Sequence, residues 1–294
     1  MVKKIVTHNG SFHADDLFSV ALLLLIFPEA EVVRTRDQKE IDEADLVLDV
    51  GVTYDPDKKR FDHHQKGGAG KRENSVPYAS FGLIWKHFGL ELTKNKDAWE
   101  YVDLKLVQPI DANDNGFALS EPIMKSVSEY SLQRLTFLFQ PTWKEEGSVN
   151  MDEIFFSAIP QVKKIIQREI EVADQIVEGW KKVEETYHAS EDKQVIVLDR
   201  PYPWKSVITL YPEPLFVIYH KKNEDRWHVR SVPESERSFR NRKNLPQSWA
   251  GLRDEALQKE TGVKDALFCH NNLFFCIAGS KEGALDLVSK AIKN

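Results

Sequence analysis

KKIVTHNGSFHADDLFSVALLLLIF, residues 3–27, reads as a strand, a glycine-containing turn and a buried helix in immediate succession. KKIVTH supplies the strand. Asp15 and Asp16 fall at the expected start of the helix, where carboxylates can accept free backbone amides. The apolar run Leu17–Phe27 is too short to cross a bilayer, which takes about 20 residues, so it belongs inside a folded domain. AEVVRTR (30–36) and ADLVLDVG (44–51) follow as a second and a third strand, both short, apolar and bounded by turns. Strand, helix, strand in this order predicts an α/β fold built on a parallel sheet.

The rest of the chain is consistent with that start. SFGLIWKHFG (80–89) and AWEYVDLKLVQPIDAND (98–114) carry helical spacing, and PTWKEEGSVN (141–150) has linker composition. From Met151 to about Tyr187 an amphipathic pattern predicts one long helix, broken or kinked near its front by Pro160. Beyond it, QVIVLD, LFVIYH, RWHVRSV and LFFCIAG read as strands and KEGALDLVSKAIK as a closing helix. The expected organisation is an N-terminal parallel-sheet domain over 1–145, a helical connector over 146–190 and a smaller C-terminal α/β domain over 191–294.

A net charge of −6 excludes a generally basic nucleic-acid coat but leaves room for a local basic surface. RSFRNRK, with Arg237, Arg240, Arg242 and Lys243, is such a candidate, and a solvated loop is its ordinary alternative. Only two cysteines occur, Cys269 and Cys276, which form no disulfide framework or zinc knuckle and read as small buried residues. The N-terminus has no signal-peptide zoning, so a cytoplasmic or nuclear chain with no membrane association is expected.

Chemistry collects where a doubly wound sheet puts it, at the carboxyl ends of strands. The first strand end gives His8 and, past the turn, His13, Asp15 and Asp16. The third gives Asp49. FDHHQ gives Asp62, His63 and His64, and IDANDNG gives Asp111 and Asp114. Imidazole and carboxylate together suit Mn²⁺, Zn²⁺, Co²⁺ or Fe²⁺ better than Ca²⁺. Two such ions can activate water and steady the oxygens of an in-line phosphoryl displacement. Each cluster alone has a plain explanation, as a helix cap, a strand end or a surface histidine. Four such explanations would have to hold at once.

THNGSFHADD, VVRTRD, DLVLDVGVTYDP, RFDHHQ, IDANDNG, WHVRSVP, SWAGLRDEAL and FCHNNLFFCIAG, in this order and across nearly the whole chain, resemble the DHH phosphoesterase superfamily. The closest likeness is to its melanocyte-proliferating-gene branch, a family of metal-dependent hydrolases or exonucleases. The resemblance implies two divalent ions, usually Mn²⁺ (Zn²⁺, Co²⁺ or Mg²⁺ being alternatives), held by His8, His13 or Asp15, Asp49 as the bridge, His63 and Asp111. It places His64 beside the scissile phosphate and Asp62 behind the histidines, with Asp16 in the catalytic group. Arg34, Arg36, Asp114, Arg230 and His270 become the expected substrate contacts.

Two departures stand out. The first motif is one residue longer than the superfamily's and has His13 in place of its first Asp, which favours a softer ion. Ala278-Gly279 also stands where the family has Gly-Gly. The implied activity is hydrolysis of phosphodiester bonds in short or single-stranded RNA or DNA, with release of 5′-mononucleotides from a 3′ end; oligonucleotides or smaller nucleotides are the expected partners. The alternative is a non-catalytic nucleic-acid or nucleotide binder that keeps the fold. The sequence leaves the oligomeric state open, a homodimer included.

Overall fold

A computed structural model describes residues 2–127, 129–145 and 147–294. The chain is α/β and divides into two compact units, Met1–Asp174 and Gln175–Asn294.

The first unit holds strands β1 (Lys4–Thr7), β2 (Glu31–Arg34), β3 (Leu46–Leu48), β4 (Tyr54–Asp55) and β5 (Arg60–Phe61), with helices α1 (Ala14–Ile26) and α2 (Gln38–Asp42) between the first three. Their order across the sheet is β2-β1-β3-β5-β4. β1 runs parallel to β2 and β3, and β3 parallel to β5; only β4 is antiparallel. The chain leaves β1 for one side of the sheet and returns on the other. The β1/β3 junction is therefore a topological switch point, where the carboxyl ends of strands open a crevice. Every residue of α1 from Ala14 to Leu23 is buried, as a helix apolar on all sides must be.

α3 (Ser80–Phe88) packs its Phe81 edge-on against Phe18 of α1. α4 (Lys96–Val102) and α5 (Gln108–Asp114) are joined through a π-helical turn, Asp103–Val107, which ends two residues before Pro109, a residue with no amide to donate. A short α6 (Leu132–Phe137) precedes α7 (Met151–Ala189). Of the expectation that Pro160 breaks or kinks this helix, the break is not met, since the helix runs on through it. Phe155, Ala158, Ile159, Val162 and Ile166 are buried on both sides of it, so packing outweighs the one lost backbone bond. The division into units falls inside α7.

The second unit is a sheet in the order β6-β7-β8-β10-β9. It comprises β6 (Val195–Leu198), α8 (Lys205–Ile208), β7 (Phe216–Lys221), β8 (Arg226–Ser231), α9 (Asp254–Thr261), β9 (Ala266–Cys269), β10 (Phe275–Ala278) and α10 (Lys281–Lys293). Strand alternation builds two cores. Phe216 and Ile218 face Leu257, Leu287 and Val288, while Val217 and Ile196 face Val183, Trp204 and Ile208. α8, α9 and β9 are additions to the elements expected from sequence. Among the described residues no helix is long and apolar enough to cross a membrane.

Candidate metal centre

The carboxyl ends of β1, β3 and β5 each deliver ligand-type side chains. His8 follows β1 directly. Asp49 follows β3 with φ of 52°, in the left-handed region that a residue with a Cβ adopts only when its surroundings impose it. Asp62, His63 and His64 follow β5. Asp15 and Asp16 sit in the first turn of α1 and Asp114 at the end of α5.

These side chains form three linked groups with ligand atoms close enough to share an ion: His8, Asp16 and Asp49; Asp49, His63 and His64; Asp15, His63 and Asp114. Asp49 joins the first two through different oxygens. Its Oδ2 lies 3.3 Å from His8 Nε2, and its Oδ1 lies 3.4 Å from His63 Nε2 and 3.5 Å from His64 Nδ1. His8 Nε2 is also 3.3 Å from Asp16 Oδ2, and His63 Nε2 is 3.2 Å from Asp114 Oδ2. His8 Nδ1 sits 3.1 Å from the Asn9 carbonyl, an arrangement that puts the proton on Nδ1 and turns the Nε2 lone pair toward the carboxylates.

A lone pair facing carboxylate oxygens is repulsive without a positive charge between them. Two buried atoms here, Asp16 Oδ2 and His63 Nε2, make no hydrogen bond. Orphaned donor atoms of this kind, on a mixed nitrogen and oxygen set, fit a divalent transition-metal cation. Without one, protons must supply the charge. Burial would lower the His63 pKa, yet the Asp114 and Asp49 carboxylates push it up to about 11. Burial pushes Asp16 up to about 7, aided by the Asp49 charge and opposed by His8. Burial would also raise Asp49, but His63 and His8 outweigh it and hold that carboxyl below the usual range.

The N-terminus of α3 points into the same place. Asp15 accepts from the Ser80 and Phe81 amides at 3.0 and 2.7 Å, and Asp111 accepts from the Gly82 amide at 2.9 Å. Ser80 Oγ donates to Asp49 Oδ1 at 3.3 Å. Three amides with no partner inside their helix thus hold two buried carboxylates, with the helix dipole favouring both charges. Gly82 is required for this approach, because a Cβ there would lie 1.8 Å from Asp111 Oδ2.

The profile of a family described as "Uncharacterised protein family (UPF0160)", MYG1_exonuc, matches residues 4–292. The chain belongs to this MYG1 family. It is 29% identical to the MYG1 exonuclease of Homo sapiens over 97% of this chain and 84% of the human protein. It is 31% identical to the MYG1 exonuclease of Bos taurus, over 97% of this chain and 83% of that one. A MYG1 protein of Saccharomyces cerevisiae is 30% identical over 99% of this chain and 96% of its own length.

In this MYG1-family chain, six of the residues singled out from sequence converge in the linked groups with His64: His8, Asp15, Asp16, Asp49, His63 and Asp114. Two expected ligands do not. His13 stands at the start of α1, its amide donating to Asp16 at 2.7 Å, with its ring 6.1 Å from that of His8. Asp111 is taken by Arg72, whose Nη1 donates to it at 2.7 Å while Nε and Nη2 grip Asp103 at 3.0 and 2.8 Å. Asp114, expected as a substrate contact, faces His63 instead. Asp62 serves His64 in particular, at 2.7 Å from its Nδ1, and accepts from the Val52 and His64 amides as well.

Arg34 is buried and spent within the fold. Its guanidinium donates to Asp152 at 2.5 Å and to the Gly10 carbonyl at 2.8 Å, over the Phe155 ring. Arg36 is exposed. Arg230 and His270 belong to the second unit, where Arg230 lies over Phe274 and Phe275, and His270 Nδ1 accepts from the Asn272 amide at 3.0 Å. Sequence reasoning passed over Arg72, Ser80 and Gly82. Of these, Gly82 carried a signal: an isolated glycine in an apolar helical run marks close approach of another group.

Proposed function

We propose that the chain is a metal-dependent phosphoesterase of the DHH type that hydrolyses phosphodiester bonds of short or single-stranded RNA or DNA as a 3′–5′ exonuclease. The observation that carries this reading is the division of the Asp49 carboxylate between His8 on one oxygen and His63 and His64 on the other, with Asp16 against the same His8 nitrogen. That is what a bridging ligand of two cations requires. The MYG1 exonuclease name borne by the human and bovine relatives supports the same substrate class.

His8, Asp16 and Asp49 would hold one ion, and Asp49, His63, Asp15 and Asp114 the other, Mn²⁺ being the expected metal. When bound, such ions lower the pKa of a water and neutralise charge on phosphoryl oxygens. The rest falls to the protein. Asp62 fixes the His64 ring through Nδ1, which leaves the opposite nitrogen of this half-exposed side chain to donate to a phosphate or a leaving oxygen. The Ser80 and Phe81 amides of α3 fix the Asp15 carboxyl in place, while burial and the Asp114 and Asp49 charges push its pKa well above the ordinary value, so a bound cation would take the place of its proton.

Elemental analysis of bound metal, run beside hydrolysis of a short single-stranded RNA with Mn²⁺ and with chelator, tests this. Roughly two ions per chain and chelator-sensitive release of mononucleotides are expected. Asp49→Ala and His63→Ala should lose metal and cleavage, and Asp57→Ala, in an exposed turn, neither. Full metal and full activity in Asp49→Ala would sink the assignment.

A further inference from the structure

The loop between β8 and α9 exposes Phe239 completely. A solvated phenylalanine gives the fold nothing, yet the loop that presents it is braced throughout. Pro233 and Asn241 pair across its stem. The Glu234 amide donates to the Arg240 carbonyl at 2.9 Å, and the Arg240 amide to Ser238 Oγ at 3.0 Å. Arg242 anchors the base, its guanidinium donating to the carbonyls of Tyr211, Pro214 and Thr209 at 2.5, 3.0 and 3.0 Å. Lys243 is likewise internal, donating to the Ile292 carbonyl at 3.0 Å. The basic cluster of the sequence therefore splits. Arg242 and Lys243 hold the loop, while Arg237 and Arg240 flank Phe239 in the chain at its tip, Arg240 lying 3.9 Å from the Glu234 carboxylate.

Ser206 ties this loop to α8 by donating to Glu236 at 2.6 Å. The same serine lines a cavity of about 290 Å³ whose other walls are Tyr202, Pro203, Trp204, Lys205, Tyr219 and Arg230. Among the described residues, no carboxylate lies within ion-pair distance of Lys205, Arg230 or Arg237. Unpaired cations interleaved with aromatic faces, on a chain of net charge −6, are complementary to a polyanion that carries flat rings. A membrane contact would need a broader apolar patch than one ring set among Arg237, Ser238, Arg240 and Asn241.

We infer that Phe239 with its flanking arginines, continuing through Ser206 into the cavity at Trp204 and Arg230, is a stacking surface for successive bases of a single-stranded nucleic acid. It rests on the proposed substrate class, and it names the residues of the second unit that would recognise that substrate.

Fluorescence anisotropy with a labelled oligouridylate, in chelator so that nothing is cleaved, tests it on the full chain. Phe239→Ala should bind roughly 5- to 150-fold more weakly, as loss of one aromatic stacking partner does, and Phe239→Trp should bind at least as tightly as the parent. Arg237→Ala should flatten the dependence of log affinity on log salt by about 0.7, the share of one phosphate on a single strand. Unchanged affinity in Phe239→Ala overturns the surface, while chelator-sensitive cleavage by the parent would leave the metal-site reading standing. Loss of binding to anionic phospholipid vesicles with oligouridylate affinity intact would also overturn it, and make the tip a lipid contact. Weakened oligouridylate binding in Phe239→Ala, with no cleavage by the metal-loaded parent, would support the surface and remove the phosphoesterase reading.

Discussion

Gly82→Ala is the smallest change that reaches the proposed centre without touching an ionisable group. The added methyl would lie 1.8 Å from Asp111 Oδ2, 2.7 Å from its Cγ and 2.8 Å from Arg72 Nη2. None of these distances can be kept, so Asp111 must swing away. It then loses the Gly82 amide and the Arg72 guanidinium together, although Arg72 retains Asp103. Breaking a buried pair costs about 3–5 kcal/mol and overpacking about 1–3, offset by about 1 kcal/mol from the better helix propensity of alanine. A loss of at least about 3 kcal/mol is expected.

For a unit of this size that is a fall of roughly 6–12 °C in Tm. Calorimetry reads the transition, and elemental analysis reads whether α3 still positions the centre. A double-mutant cycle separates sterics from propensity: in an Asp111→Ala background the methyl has room, and Gly82→Ala should cost much less. An unfolding transition within about 1 °C of the parent, or an equal cost in both backgrounds, would refute the close-approach reasoning.

Three further outcomes follow from the same structure. In chelator-treated protein Asp16 and Asp111 are pushed up to about 7 from 3.8, and His63 to about 11 from 6.5. A raised group stabilises fully below its unfolded pKa and loses that contribution as pH rises through the folded one, so Tm should fall from about pH 5 to 9, and less steeply when Mn²⁺ replaces the protons of Asp16 and His63; a rise over that range would contradict it. Cys269 and Cys276 are fully buried, and burial pushes the Cys269 thiol up to about 12, so neither should react with a disulfide reagent at pH 8 until the chain is unfolded. Arg34→Ala should destabilise by about 2–4 kcal/mol in chemical denaturation, since it leaves the Gly10 carbonyl unpaired and uncovers Phe155, whereas Arg36→Ala should stay within about 0.5 kcal/mol.

Much of this was legible in the chain itself. The β1–α1 unit announces its period and its burial, and His8, Asp15, Asp16, Asp49 and His63 declare themselves by residue type at strand ends and a helix start. What could not be read was the choice between chemically equal candidates. Asp111 and Asp114 lie three apart on α5 and share a face, so spacing alone makes either one a ligand. The choice is made by Arg72, which lies in a loop far away in sequence and is itself fixed by Asp103 in the π-helical turn. Its Nη1 takes Asp111, and the Gly82 amide holds the other oxygen, which leaves Asp114 the one carboxylate of the pair facing His63. The same logic removes Arg34 from the substrate contacts: at a strand end a guanidinium looks free in sequence until Asp152, 118 positions on, is seen to fill it. Residue type is local, but whether a charged group is available to a ligand depends on which partner reaches it first, and that is decided by packing.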